Sequence, residues 1–403
     1  MVDILISPHV FYPDIPGTAK VTTDIARILG EYYKVKVISQ NRAYNDPKII
    51  YNKYEIMGQV AIERYNVPNF NKNSNLQRLI LSGLVAQRSK EYALKEDTKV
   101  YMAVSNPQNM AYQVAKVAKQ KGRPFVYLLH DLYPDVMEKT GHDKGVWRYI
   151  NAYIKHITKK IFDMSDIIIV IGRDAREYVI SNYNVEPERI RVITNWGPEE
   201  NNIDKERVIE YKQRKGWMDK FIVLYSGNIG QTADFEVILK AAKEMENIDK
   251  DILFVIVGNG RKKSFVMDTI TNYNIKNTIL LDFVPDDEYI NMINSADCLF
   301  VSLRKELYGI SVPSKTYYYL SAGKPIVGVL PPNSEVVLEM MEDGFGVPCT
   351  DYSHETLIEA ILSLKNDSER YNLISQNARK AFENKYRKSI VVKQYVELFK
   401  ELL

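Results

Sequence analysis

The chain has 403 residues, 45% hydrophobic and 26% charged, and its 54 basic against 51 acidic residues leave a net charge of +3. That length exceeds what one hydrophobic core usually sustains, so two domains are expected, and the composition excludes disordered and fibrous classes. The near balance of charge gives no ground for nucleic acid as a partner, and no apolar run approaches the ~20 residues that span a bilayer. The N-terminus enters a strand pattern without a basic or long apolar leader, and Cys298 and Cys349 lack metal or redox spacing. The expectation is a cytoplasmic protein in a reducing compartment, meeting a membrane only at its surface.

Short apolar, β-rich runs alternate with helical patterns. Strands are predicted at 2–7, 34–39, 60–66, 100–105, 125–130, 166–171 and 191–195, with helices at 18–32, 74–95, 107–121, 146–164 and 173–183 between them. A polar stretch at 195–219 carries Gly197-Pro198 and reads as a linker with a short helix. The alternation restarts with strands at 221–226, 252–257, 278–283, 298–303 and 325–330 and helices at 234–246, 261–273, 286–294, 314–322 and 335–343. Helical patterns at 353–365, 368–386 and 389–403 close the chain. This predicts an α/β protein with two doubly wound parallel sheets in tandem, residues 1–196 and 197–386, and a last helix, 387–403, packing back on the first domain. Strand ends of both domains would then border a cleft that takes the ligand.

The chemistry-bearing residues follow strand ends. Pro16-Gly17-Thr18 follows the first strand: Gly17 permits an unusual turn and a close ligand, Thr18 is a candidate N-cap, and a merely turn-shaping loop is the alternative. His130-Asp131 ends another strand, where the histidine could polarise a reacting hydroxyl or only bond within a turn. In the second half, Gly227-Asn228-Ile229-Gly230-Gln231 precedes a helix, so amides and a helix N-terminus could hold a diphosphate, or the glycines could simply make a tight turn. Gly258-Asn259-Gly260 reads as a base-binding loop or an ordinary turn. Neither is a P-loop nor G-x-G-x-x-G. From Glu306 to Pro325, a carboxylate, a glycine turn (Gly309, Ile310, Ser311) and the Ser314-Lys315 pair fall at one strand end. Glu306 can accept from sugar hydroxyls there, and amides near Gly309 and at the helix start can face oxyanions. His142, His156 and His354 lack partners at metal spacing and read as solvated. Two helices carry mixed apolar and basic residues: Leu79, Ile80, Leu84 and Val85 with Arg78, Arg88 and Lys90, and Trp147, Tyr149 and Tyr153 with Lys155, His156, Lys159 and Lys160. They could touch anionic lipid, or be core faces with solvated lysines.

Taken together, these loops resemble the family 4 retaining glycosyltransferases of GT-B fold, in the branch that builds bacterial capsule, O-antigen and exopolysaccharide. The resemblance runs through the Pro16-Gly17 loop, His130-Asp131-Leu132-Tyr133-Pro134, Ile193-Thr194-Asn195-Trp196, Ser226-Gly227-Asn228-Ile229-Gly230, Val257-Gly258-Asn259-Gly260 and Val312-Pro313-Ser314-Lys315 through Pro325. It implies that a nucleoside diphosphate sugar, taken as UDP-linked, is bound mostly by the second domain. The acceptor, a saccharide or lipid-linked saccharide, is bound by the first. It also implies hexosyl or N-acetylhexosaminyl transfer with retention, no cofactor and no metal. Glu306 and His130 would be the catalytic residues; Gly17, Gly227, Asn228, Gly230, Gln231, Gly258, Asn259, Gly309, Ile310, Ser311, Ser314, Lys315 and Tyr318 would line the donor site, and Thr18 and Asp131 the acceptor site.

Two departures stand out. The family's E-x7-E pattern pairs a second glutamate with the ribose, yet Tyr318, five residues before Gly323, and Ser314, eight after Glu306, are the residues at that place. The usual basic pair on the first loop and helix of the second domain is missing, with Asn228 and Gln231 nearby, which leaves Lys315 to supply the charge. Rival readings are a sugar-nucleotide epimerase of the same fold, and a silent saccharide-binding partner of another transferase.

Overall fold

The computed structural model describes residues 1–403 apart from 15–16, 45, 72–73 and 200–202. Its contacts divide the chain into two compact units, Met1–Thr194 with Val391–Leu403, and Asn195–Ile390. The first contains β1 (Val2–Ser7), α1 (Gly17–Tyr32), β2 (Val35–Gln40), β3 (Tyr54–Met57), β4 (Val60–Tyr65), α2 (Asn75–Lys95), β5 (Thr98–Val104) and α3 (Gln108–Gln120). It continues through β6 (Phe125–Leu129), α4 (Asp135–Lys139), α5 (Val146–Met164), β7 (Ile167–Val170), α6 (Arg173–Tyr183) and β8 (Ile190–Val192). Its sheet runs β3-β4-β2-β1-β5-β6-β7-β8.

The second unit begins with α7 (Lys205–Lys215), β9 (Phe221–Ser226), α8 (Phe235–Ile248), β10 (Ile252–Val257), α9 (Lys263–Asn272), β11 (Thr278–Leu281) and α10 (Asp286–Ser295). Then come β12 (Cys298–Ser302), α11 (Lys315–Ser321), β13 (Ile326–Val329), α12 (Glu335–Asp343), β14 (Gly346–Cys349), α13 (His354–Asn366) and α14 (Ser368–Ala381). Its sheet runs β11-β10-β9-β12-β13-β14, parallel throughout. The final helix, α15 (Lys388–Leu402), contributes Val391 onward to the first unit.

Helices on both faces explain why the central strands are apolar without alternation. Ile4, Leu5 and Ile6 in β1 and Ile222, Val223 and Leu224 in β9 are fully buried. Each such side chain contributes about 1.5–3 kcal/mol of burial. In both sheets the strand order reverses direction once, between β1 and β5 in the first unit and between β9 and β12 in the second. Those switch points leave a crevice at the carboxyl ends of the strands, where loops can reach a ligand.

Several elements differ from the sequence reading. β3 is an antiparallel edge strand, Tyr54 opposite Glu63, in a sheet expected to be parallel. Its apolar Tyr54 and Ile56 face solvent, so no buried pattern announces it. β14, Gly-Val-Pro-Cys, carries two turn-forming residues, and its place at the sheet edge is what tolerates Pro348. α4 is five residues long, too short to show a helical period. The helix expected over 368–386 stops at Ala381 and continues as a π turn, Phe382–Tyr386, in which both Phe382 and Tyr386 are buried.

Candidate active site

The second unit gathers its candidates at the β9–β12 switch point. Ser226, the last residue of β9, is held by Tyr319: its N–H donates to the Tyr319 hydroxyl (2.7 Å), which donates back to the Ser226 carbonyl (3.1 Å). The chain then turns through Gly227 (φ 140°), whose N–H donates to the Val257 carbonyl at 2.9 Å, and Ile229 N–H donates to the Asn259 carbonyl at 2.8 Å. The two glycine loops are thus zipped together. A Cβ on Gly258 would lie 1.8 Å from the Gly227 carbonyl oxygen, and one on Gly260 would lie 2.4 Å from that of Ile229. Here the glycines are demanded by backbone packing and by positive φ. Gly230 has no such φ; a Cβ there would strike the Asn228 carboxamide at 2.6 Å.

The N–H groups of Asn228, Gly230 and Gln231 meet no acceptor among the described residues. The N-terminus of α8, expected to help hold a diphosphate, is already occupied. Asp234 caps it, accepting from Glu236 N–H (3.0 Å) and Val237 N–H (3.5 Å).

Lys315 opens α11, and its ammonium reaches back over the Tyr225 ring, 3.4 Å from the centroid. A Cβ on Gly227 would stand 3.0 Å from that nitrogen. No carboxylate among the described residues pairs with it, and burial holds its pKa well below the ordinary lysine range. Tyr225, absent from the sequence-derived candidates, is fixed by its own hydroxyl, which donates to the Asn228 carbonyl at 2.7 Å. Ser314 lies exposed just before Lys315 and makes no capping bond.

Glu306 sits in a 3-10 turn, Lys305–Leu307, just past β12, 40% exposed and 3.4 Å from the Arg304 guanidinium. Gly309 takes the expected left-handed turn (φ 69°). The oxyanion-facing amides expected beyond it are only partly there. Ile310 and Ser311 N–H both donate to the Leu307 carbonyl (3.0 and 3.4 Å), and at the start of α11 Thr316 and Tyr317 N–H donate to Pro313 and Ser314 (3.1 and 3.3 Å). Ile310 is buried and Ser311 half-buried.

The run Tyr317-Tyr318-Tyr319 shows how one helical turn sorts identical side chains, each rotated about 100° from the last. Tyr317 donates to buried Glu339 (3.2 Å) and Tyr319 grips Ser226. Tyr318 lies half-buried beside Tyr289, whose hydroxyl bonds Ser226 and whose pKa burial, with the Tyr318 phenol nearby, pushes up to about 12. Phenols therefore stand where the family pattern has its second carboxylate.

In the first unit, His130 follows β6. Its N–H donates to the Ser105 hydroxyl (3.2 Å), while its Nε2 is buried with no hydrogen-bond partner among the described residues. Burial pulls its pKa down to about 4, so it is neutral at pH 7 and usable as a hydrogen-bonding group rather than a cation. Asp131 is half-buried next to it. His9, at the end of β1, is a second such group that the sequence reading passed over: it bonds Gln40 at 2.9 Å, and burial lowers its pKa to about 4. Its position directly after the first strand was the available signal.

Behind His130 the loop is anchored by buried Asp135, which accepts from the hydroxyls of Tyr178 (2.8 Å) and Tyr183. Gly17 does not make the unusual turn expected of it: it has no positive φ, and among the described residues nothing lies within 4 Å of where its Cβ would be. Thr18 is not an N-cap, because α1 begins at Gly17 and the Thr18 carbonyl accepts from the Thr22 hydroxyl (2.7 Å). Pro16 lies outside the described residues.

Two family models divide the chain almost as its units do. Residues 15–196 match Glycosyltransferase Family 4, and residues 208–381 match Glycosyl transferases group 1. The chain belongs to the family 4 glycosyltransferases. Among relatives, it is 24% identical over 299 residues to a probable glycosyltransferase, WbjE, of Pseudomonas aeruginosa, across 71% of this chain and 72% of that one. It is 24% identical over 232 residues to O-antigen chain mannosyltransferase C of Escherichia coli, across 56% of this chain and 59% of that one. The crystal structure of Anabaena Alr3699/HepE in complex with UDP superposes with a TM-score of 0.71 at 18% identity, covering 99% of this chain and 100% of that one. At that identity the likeness carries the fold, which is GT-B.

Proposed function

We propose that this glycosyltransferase moves a hexosyl or N-acetylhexosaminyl group from a UDP-linked donor to a polyprenyl-diphosphate-linked saccharide, with retention, in surface polysaccharide assembly. The observation that carries the donor half is the ammonium of Lys315. It is half-buried, has no carboxylate partner among the described residues, and adjoins Gly227 at the switch point beside the amides of Asn228, Gly230 and Gln231, which meet no acceptor among those residues. A desolvated cation and free N–H donors converging at a strand edge favour a polyanionic ligand. The O-antigen chain mannosyltransferase and the UDP-bound HepE support the choice of polysaccharide and of uridine nucleotide.

In this reading Lys315 and the loop amides neutralise the departing diphosphate, so no metal is needed for that step. Glu306 accepts hydrogen bonds from donor-sugar hydroxyls, and the Tyr318–Tyr289 pair meets the ribose. In the first unit, which takes the acceptor, the neutral, half-buried ring of His130 serves as an uncharged hydrogen-bonding group for a sugar hydroxyl. The bond from the anomeric carbon to the phosphate oxygen breaks, and the acceptor oxygen bonds the same face. The hydroxyl proton leaves with the diphosphate.

Calorimetric titration with UDP, GDP and ADP, followed by transfer assays, tests this. UDP should bind with or without EDTA; Lys315→Met should weaken it at least ten-fold, and Lys315→Arg should recover part of the loss. Glu306→Gln should retain UDP binding yet lose most turnover. Absence of binding by any nucleotide, or full turnover in Glu306→Gln, would sink the assignment.

A further inference from the structure

One edge of the first sheet is open. β3 is its last strand, with β4 as its only neighbour among the described residues. The register settles which way its backbone groups point. Tyr54 stands opposite Glu63 and Ile56 opposite Ala61, and the Arg64 N–H donates to the Lys53 carbonyl at 2.7 Å. Antiparallel pairs alternate between bonded and non-bonded, so Glu55 and Met57 turn their N–H and C=O groups toward β4, whereas those of Tyr54 and Ile56 point outward. Such an edge is a template for another strand.

Its side chains add to that. Tyr54 and Ile56 share one face of the sheet and are 63% and 78% exposed, and Ala61 beside them on β4 is exposed too, so no helix covers this part of the face. Ile49 and Ile50, in the loop leading to β3, are also exposed. The opposite face is fixed from within. Met57 is buried against Arg27 of α1 (Nε to Sδ, 3.3 Å), and Glu55 pairs with Arg64 at 2.8 Å. The Arg64 guanidinium, itself buried, also donates to the carbonyls of Asn52 (2.9 Å) and Tyr12 (2.7 Å). Lys53 is exposed and forms no ion pair among the described residues; its ammonium lies over the Tyr54 ring, 4.8 Å from the centroid.

We propose that β3 is a dimerisation edge, on which β3 of a second copy of this chain lies antiparallel about a twofold axis through Tyr54, joining two first-unit sheets into one. In that register Tyr54 pairs with its own counterpart, Ile56 with Asn52, and Lys53 falls opposite Glu55 of the second copy. Opposite charges facing each other across an antiparallel pair favour it, and like charges oppose it. This complementarity selects both the occupant and the register. A twofold axis through Glu55 would set two carboxylates face to face, and one through Ile56 would run Tyr54 against the hairpin turn at Gly58. A twofold contact uses the same patch on both copies, so it closes at a dimer. The edge is four residues long, which places the contact among small interfaces, below about 1,200 Å², and makes the dimer weak and concentration-dependent. The inference rests on the first unit's edge alone and stands apart from the choice of donor and acceptor.

Sedimentation equilibrium of the full chain over a range of concentrations tests it, together with amide hydrogen exchange read residue by residue. A reversible monomer–dimer equilibrium is expected. As concentration rises, exchange should slow at the amides of Tyr54 and Ile56, while those of Glu55 and Met57, already bonded to β4, stay as they were. Ile56→Pro removes one outward N–H without touching the β4 ladder and should weaken the dimer at least ten-fold. Lys53→Glu sets carboxylates across the seam and should do the same, with unchanged thermal unfolding because Lys53 is exposed and unpaired in the single chain. A chain that stays monomeric at every concentration overturns the proposal. So does a dimer that both substitutions leave intact, or one in which exchange at Tyr54 and Ile56 does not depend on concentration.

Discussion

His130 illustrates how burial sets the chemistry of a single side chain. Its imidazole is kept neutral by desolvation, as is that of His9, and both have pKa values pulled to about 4 from an ordinary 6.5. Because the folded pKa is depressed, the unfolded chain binds more protons between these values, so the stability they contribute is full above about pH 6.5 and is lost as the pH falls toward 4. Urea unfolding of the first unit should therefore show a midpoint that declines over that window. His130→Gln should flatten part of the decline; an unchanged slope would mean that His130 is already solvated or charged. Gly17 and Gly258 make the complementary point. They look alike in the sequence, yet only Gly258 has a neighbouring backbone 1.8 Å from its missing Cβ. A glycine's necessity lies in what passes beside it, which no sequence spacing records.

Among elements, α4 depends on tertiary bonds rather than on its own propensity. Five residues cannot form a stable helix alone, and α4 is held because Asp135 at its start accepts two phenols from α6. Removing one leaves a 1%-exposed carboxylate short of a donor. Tyr183→Phe should cost about 1–3 kcal/mol in urea unfolding, while exposed Tyr149→Phe should stay within about 0.5 kcal/mol. Equal, negligible effects would show that water replaces the lost phenol. The long buried elements were legible because their patterns are strong: β1, β9, β10, α5, α6 and α12 occur at the expected residues. β3 and β14 were not, since one exposes its apolar residues and the other is built from Gly and Pro at an edge.

For the molecule as a whole, the chain crosses from one unit to the other twice, near residues 194 and 390. The second crossing gives α15 to the first unit, where Val391, Val392, Tyr395, Leu398 and Phe399 are buried and the Tyr33 hydroxyl donates to the Val396 carbonyl at 3.1 Å. Deleting 388–403 should therefore accelerate amide exchange in the first unit while leaving the second, whose core is built from its own strands and helices, nearly unchanged. Equal acceleration in both would contradict this division.

The loop motifs carried the resemblance to the family, and, read by itself, the order of strands and helices determined two tandem α/β sheets and put Glu306, Lys315 and His130 near strand ends. Periodicity and turn chemistry are local, and local rules suffice for that. Only the tertiary structure decided which donors remain available: the α8 terminus is closed by Asp234, the amides of Ile310 and Ser311 are spent on Leu307, and those of Asn228, Gly230 and Gln231 meet no acceptor among the described residues. It also seated Lys315 on Tyr225, 90 positions away in sequence, and left Leu76 and Tyr149 in solvent. Whether a polar group is satisfied, or an apolar one covered, depends on neighbours that folding brings from elsewhere in the chain.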